Sequence, residues 1–304
     1  MEPLNLRGER HRVSVIGWGL VFLLLVTNAA DIVLLFLAVM VDPVVALSTE
    51  GASWIASAAQ FLLGYPVCLL ILAGIPADPM ETYRLRPGQL ADAAFACCFL
   101  LVTGSLLGQA VSGIISGILG YETQNIVSES ISSTSLFYNL VTTVVAAPVC
   151  EELVCRKGII DRMNRLGDRP AILVSALLFA LLHGNFYQFF YAFGVGLVFG
   201  YIYVRTGLIR YTIGIHMAIN LLCGVMPDVW YQIGGDAAAI LWELLLVAAA
   251  AVGLVRFCVR FRRRRLLRGW IALPGNRWGF IVFPNAGMIA FLICSAVLFV
   301  LYLL

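Results

Sequence analysis

The sequence predicts an all-α, polytopic transmembrane helix bundle, and three observations predict it. Of its 304 residues, 61% are hydrophobic and 12% charged, whereas about a quarter of an ordinary soluble domain is charged. Nine apolar stretches, at 13–41, 52–75, 88–119, 131–152, 170–184, 186–204, 208–226, 238–258 and 279–303, approach the ~20 residues that cross a ~30 Å hydrocarbon core. All twenty Lys and Arg residues fall into alternate connections between those stretches. Disordered, collagen-like and small disulfide-stapled chains are excluded by the same composition.

The first stretch is too long for a signal-peptide core and reads as a membrane anchor. Arg7, Arg10 and Arg12 precede it, and Arg84 and Arg86 lie between the second and third stretches. Five basic residues from Arg156 to Arg169 follow the fourth, Arg205 and Arg210 follow the sixth, and eight from Arg256 to Arg277 follow the eighth. The intervening connections hold only acids: Asp42 and Glu50, Glu122 and Glu129, Asp228 and Asp236. The positive-inside rule then predicts a cytoplasmic N-terminus and an external C-terminus.

Glycines at 104, 108, 113 and 117 predict a third helix that is tilted or kinked and closely packed. Residues 170–204 predict a tight hairpin turning at Gly184 and Asn185, with Gly194, Gly196 and Gly200 forming a small-residue packing face. The basic run at 261–268 is a topology determinant and a contact for anionic lipid headgroups. No aromatic, domain-like context accompanies it, so no nucleic-acid partner is expected. The eight cysteines sit in or beside the apolar stretches without a CxxC pair and read as small apolar fillers.

Ionisable groups inside a membrane are expensive and each needs a partner or a task. His183 and His216 interrupt apolar runs, and the acidic pair Glu151-Glu152 follows twenty uncharged residues. If the helix bearing Glu151 reverses near Gly167, Glu151 lies sixteen residues before the turn and His183 sixteen after it. At 1.5 Å per residue both would stand about 24 Å from the turn. His216 and Asn220, four apart, share one helix face. The arithmetic allows Glu151, His183, His216 and Asn220 to form one cluster, with Glu152 turned about 100° away and at ion-pair spacing from Arg156. Asn28, Asp31, Asp92 and Glu243 are further polar groups, ascribed to helix-to-helix hydrogen bonds or, for Glu243, to a protonated carboxyl.

The run Glu151-Glu152-Leu153-Val154-Cys155-Arg156 is an EExxxR motif, Phe179 to His183 is FxxxH, and His216 to Asn220 is HxxxN. In this order on successive helices they resemble the CPBP family of CAAX proteases and bacteriocin-processing enzymes, also called Abi. The resemblance spans roughly 135–225 and divides the chain into membrane helices at 1–130, a catalytic core at 131–226 and C-terminal membrane helices at 227–304.

The resemblance implies an intramembrane endopeptidase acting on a membrane-associated, lipidated or leader peptide or a membrane-protein substrate in the lipid bilayer; the brevity and arginine bias of the chain point to a bacterial cytoplasmic membrane. By position, Glu151 and His183 would activate water, and His216 and Asn220 would stabilise the oxyanion. Glu152, Arg156 and Phe179 would support them. Peptide hydrolysis needs such a base and such donors. Glu151, His183 and His216 also form a set able to hold a divalent metal such as zinc with a water in the fourth position, although HExxH is absent. A proton- or cation-coupled transporter would predict inverted repeats, and none is visible. A non-catalytic immunity or scaffold protein would not require the complete polar set.

Overall fold

The computed structural model describes residues 5–78, 80–260 and 277–303, and these contain helices and no strand. The basic run at 261–268 lies outside the described residues. The main elements are α1 (Leu6–Val41), α2 (Thr49–Ala73), α3 (Pro87–Leu119), α4 (Leu136–Leu166), α5 (Asp168–Leu182), α6 (Phe186–Thr206), α7 (Ile209–Ile219), α8 (Met226–Arg260) and α9 (Ala286–Leu301). Short helices at Pro43–Ala46, Ile126–Ser133 and Gly279–Val282 stand between them.

The nine apolar stretches of the sequence all fall on helix, with changed boundaries. Six helical segments among the described residues are long and apolar enough to cross a membrane. One of these, Ile209–Arg256, joins two of the predicted stretches through a π-helical turn at Asn220–Val225. It is interrupted only where Gly234 and Gly235 leave helical geometry. The helices α5 and α9 have 15 and 16 residues and are shorter than a full crossing. The fourth stretch continues past its predicted end at 152 to Leu166, because Leu153–Ile160 stays helical by widening into a π-turn.

Small residues let the helices approach closely. A Cβ on Gly104 would stand 2.4 Å from the Tyr191 Cα, and one on Gly253 would stand 2.0 Å from the Phe95 carbonyl oxygen. These contacts lay α3 against α6 and α8. Gly196 and Gly200 likewise meet Ala176 and Ile172 of α5. Gly113 and Gly117 have no neighbour within 4 Å, so the packing face predicted on α3 stops at Gly108. The helix itself runs unbroken for 33 residues.

The hairpin forms as predicted, with Gly184 at φ +68° and the Asn185 side chain accepting from the Gln188 N–H to cap α6. Gly167, at φ +108°, makes the reversal between α4 and α5, a conformation that a side chain would oppose. Asp92 joins helices as expected, pairing with Arg256 at 2.5 Å. Asn28 does not, since its amide donates to the Leu24 carbonyl of its own helix.

Candidate active site

The site is assembled from α4, α5, α6 and α7, and its local geometry begins with α4. Residues Ala147–Glu152 form one short α-helical piece between π-helical stretches at Leu140–Ala146 and Leu153–Ile160. A π-turn adds a residue per turn and re-aims the side chains that follow it, and such turns gather at functional sites. Asn220 begins another, at Asn220–Val225.

The π-turns also correct the equal-height arithmetic. Ser175 Oγ donates to the Cys155 carbonyl at 2.7 Å, which sets the register of α4 against α5. Counting four residues outward from that bond on each arm of the hairpin brings Glu151 level with Phe179 and puts His183 one turn beyond. Wider turns place more residues in the same helix length, so counting 1.5 Å steps overestimates the rise of α4.

Glu152 and Arg156 make the expected ion pair at 3.3 Å, with both side chains fully buried. Arg156 is the largest fully buried side chain among the described residues. Its guanidinium lies 4.7 Å from the Phe179 ring centroid and 5.3 Å from that of Phe199, and it donates to the Gly196 carbonyl at 3.3 Å. Two aromatic faces and a glycine carbonyl thus share the solvation of a charge held far from water.

His216 lies between the two glutamates. Its Nδ1 is 3.1 Å from Glu152 Oε1, and its Nε2 is 3.6 Å from Glu151 Oε2. Glu152 therefore does more than pair with Arg156, because it also holds the imidazole. This bond was not legible in the sequence, since no spacing relates residues 152 and 216. Phe179 stacks edge-on against both His183 and His216, with centroids 4.9 and 5.8 Å apart. His183 Nδ1 is 2.8 Å from the Phe179 carbonyl oxygen, and the Asn220 amide donates to the Thr143 carbonyl at 2.8 Å.

Glu151, His183, His216 and Asn220 line one cavity of about 810 Å³, which Phe179 also borders. Glu152 and Arg156 sit behind it. In each histidine Nδ1 is engaged; Nε2 of His183 is left for a reactant, Nε2 of His216 faces Glu151 across 3.6 Å, and Asn220 keeps one amide N–H beyond its bond to Thr143. The cluster can hold a water between a carboxylate and an imidazole and can direct donors at a developing oxyanion.

The metal expectation fits the donor types and the engaged Nδ1 atoms, which are a usual support for metal-bound imidazoles. It does not fit the distances. Among the described residues no three of His, Cys, Asp and Glu are placed to hold one ion together. Glu243, which the sequence alone ascribes to helix contacts or a protonated carboxyl, borders the same cavity. No hydrogen bond or ion pair engages it among the described residues.

Known proteins carry similar sequences. Residues 133–222 match the family described as Type II CAAX prenyl endopeptidase Rce1-like. That interval contains all three motifs, in agreement with the CPBP resemblance. The chain is also similar to the "Putative membrane peptidase YdiL" of Bacillus subtilis (strain 168), with 25% identity over 179 residues, 56% of this chain and 70% of that one. No solved structure matches. The family match and the apolar helices support an integral, multi-pass membrane protein and a membrane protease.

Proposed function

We propose that this chain, with CPBP-type motifs at the centre of its helix bundle, is an intramembrane endopeptidase that hydrolyses a peptide bond in a membrane-associated or leader-peptide substrate. The observation that carries the proposal is the enclosure of one imidazole by two adjacent glutamates, with His216 at 3.6 Å from Glu151 and 3.1 Å from Glu152, at the wall of a cavity among transmembrane helices.

In this mechanism Glu151 takes a proton from the attacking water, with the free Nε2 of His183 orienting it. Asn220 donates its remaining amide N–H to the oxyanion. His216 donates from Nε2, and because Nδ1 already engages Glu152, that role needs a proton on both ring nitrogens. Glu152 faces that imidazole, and Arg156 pairs with Glu152 and fixes it. Glu152 and Arg156 are thus positioning residues. Glu151 then returns the proton to the leaving amine.

A divalent metal such as zinc on Glu151, His183 and His216 is the second reading, favoured by the engaged Nδ1 atoms. It requires the three groups to draw together, and no step of the hydrolysis depends on it.

The test is comparison of newly formed protein termini in cells carrying the wild-type chain or Glu151→Gln. Termini present only with the wild-type chain support the proposal, and identical termini overturn it. Metal content of the purified chain and its activity in chelator separate the two readings. Stoichiometric zinc with activity lost on chelation assigns Glu151, His183 and His216 as ligands. Activity that persists without metal leaves them as base and donors.

A further inference from the structure

One carboxylate in the cavity has no place in this hydrolysis. Glu243 lies on α8, eight residues beyond the break at Gly235 and thirteen before Arg256, within an apolar helix. Its direction follows from helix periodicity. Glu243, Leu246, Ala250 and Gly253 recur at three- and four-residue spacing and form one stripe. Ala250 is buried, and Gly253 touches the Phe95 backbone of α3, so the stripe faces the bundle. Leu244, Leu245, Val255 and Val259 carry the opposite, exposed face. Glu243, itself exposed, sits at the edge of that stripe and borders the cavity where it opens between α8 and its neighbours.

Its depth follows from the same contacts. The helices α3 and α8 run antiparallel, with Gly253 against Phe95 and Arg256 paired to Asp92. Ten residues along each, about 15 Å from that contact, Glu243 comes level with Ser105. The next position on α8, Trp242, donates to the Leu222 carbonyl at 2.9 Å, two residues past Asn220. Glu243 thus stands at the height of the candidate catalytic groups, across the cavity from them. Ser105, Gln109 and Gln60 border the same space and make no side-chain hydrogen bond among the described residues.

A carboxylate on a cavity wall at membrane depth is costly without a partner, and none of the described side chains offers one. A lysine or arginine side chain would satisfy it. The uncharged polar groups would in turn serve the peptide N–H and C=O groups of an extended segment, which cannot go unpaired in a bilayer. We infer that Glu243 forms a subsite for a basic side chain of the substrate, which deepens the endopeptidase reading and rests on it for the identity of the cavity. The substrate class is then an apolar, membrane-associated peptide carrying a lysine or arginine near the cleaved bond.

The test measures binding separately from cleavage. The full chain carrying Glu151→Gln is placed in nanodiscs of zwitterionic lipid and titrated with three short apolar peptides that differ at one central position: lysine, norleucine or glutamate. The lysine peptide should bind at least ~10-fold more tightly than the norleucine peptide, at the low end for a hydrogen bond to a charged group. Adding Glu243→Gln should abolish that difference, and Glu243→Lys should transfer the preference to the glutamate peptide. Equal affinity for the lysine and norleucine peptides, a preference that survives Glu243→Gln, or no binding of any of the three overturns the subsite. The first comparison needs no Glu243 variant, so it decides for or against the subsite even where such a variant folds poorly. Cleavage of the lysine peptide by the wild-type chain is scored independently. A lysine preference without cleavage keeps the subsite and rejects the peptidase.

Discussion

Two clusters of charge in this molecule obey different rules. At the end of α4, Lys157 pairs with Asp161 at 2.6 Å, and Asp161 accepts from the Tyr203 hydroxyl at 2.7 Å. Nearby, Arg12 approaches Asp78 at 3.6 Å, and Arg165 reaches both Glu9 and Asp78 at 3.9 Å. Asp78 and Arg165 each have two partners there, and the Lys157 side chain is 52% exposed. At the cavity, Glu152 and Arg156 are both fully buried, and their neighbours are Phe179, Phe199 and His216. Charge at the bundle end is thus held by several shared partners and, at Lys157, by access to water. Charge within the bundle is held by specific geometry, which is also what chemistry requires.

The largest expected effect breaks the inner cluster without unfolding it. Glu151→Gln keeps the shape and removes the base, so turnover should fall ~10²–10⁴-fold while expression and melting temperature stay near wild type. Full activity, or collapse of the fold, would show that Glu151 is a structural acid. Arg156→Ala should act through stability instead. It leaves Glu152 buried without its countercharge, at a cost of about 3–5 kcal/mol, and activity should follow the amount of folded protein. A stable, inactive Arg156→Ala chain would move Arg156 into the catalytic group.

Asn220→Ala comes next, with a loss of roughly 10²–10³ in turnover if its free N–H meets the oxyanion. A loss below about threefold would assign the amide to the Thr143 contact alone. The smallest effect belongs to the outer cluster. Lys157→Ala removes a half-exposed partner from the buried Asp161, which keeps the Tyr203 hydroxyl, and chemical denaturation should detect a smaller loss than for Arg156→Ala. A larger change would erase the contrast between the two clusters.

The side of the membrane that the outer cluster occupies is also testable. Reporter fusions after Arg86 and Arg268 should read as cytoplasmic, and those after Glu50, Glu122 and Asp236 as external. Inversion between neighbouring connections would reject the predicted nine crossings and both terminal orientations.

Much of this protein is determined by local pattern. Apolar runs, the sorting of basic residues, the EExxxR, FxxxH and HxxxN spacings and the Gly184-Asn185 turn are all properties of short segments, and the cost of polar groups in a bilayer makes such segments conspicuous. The Glu152–Arg156 pair was legible for the same reason, as an i,i+4 contact within one helix. Only the tertiary structure decided the rest. The π-turns on α4 shifted Glu151 to the level of Phe179, because helix winding responds to packing as well as to sequence. The bond from Glu152 to His216 joins helices 64 positions apart. Glu243 looked like any costly carboxyl until the packing of Gly253 on Phe95 placed it at the border of the cavity. Spacing along a helix is encoded in its own residues, whereas the direction a side chain faces is set by the neighbour against which that helix packs.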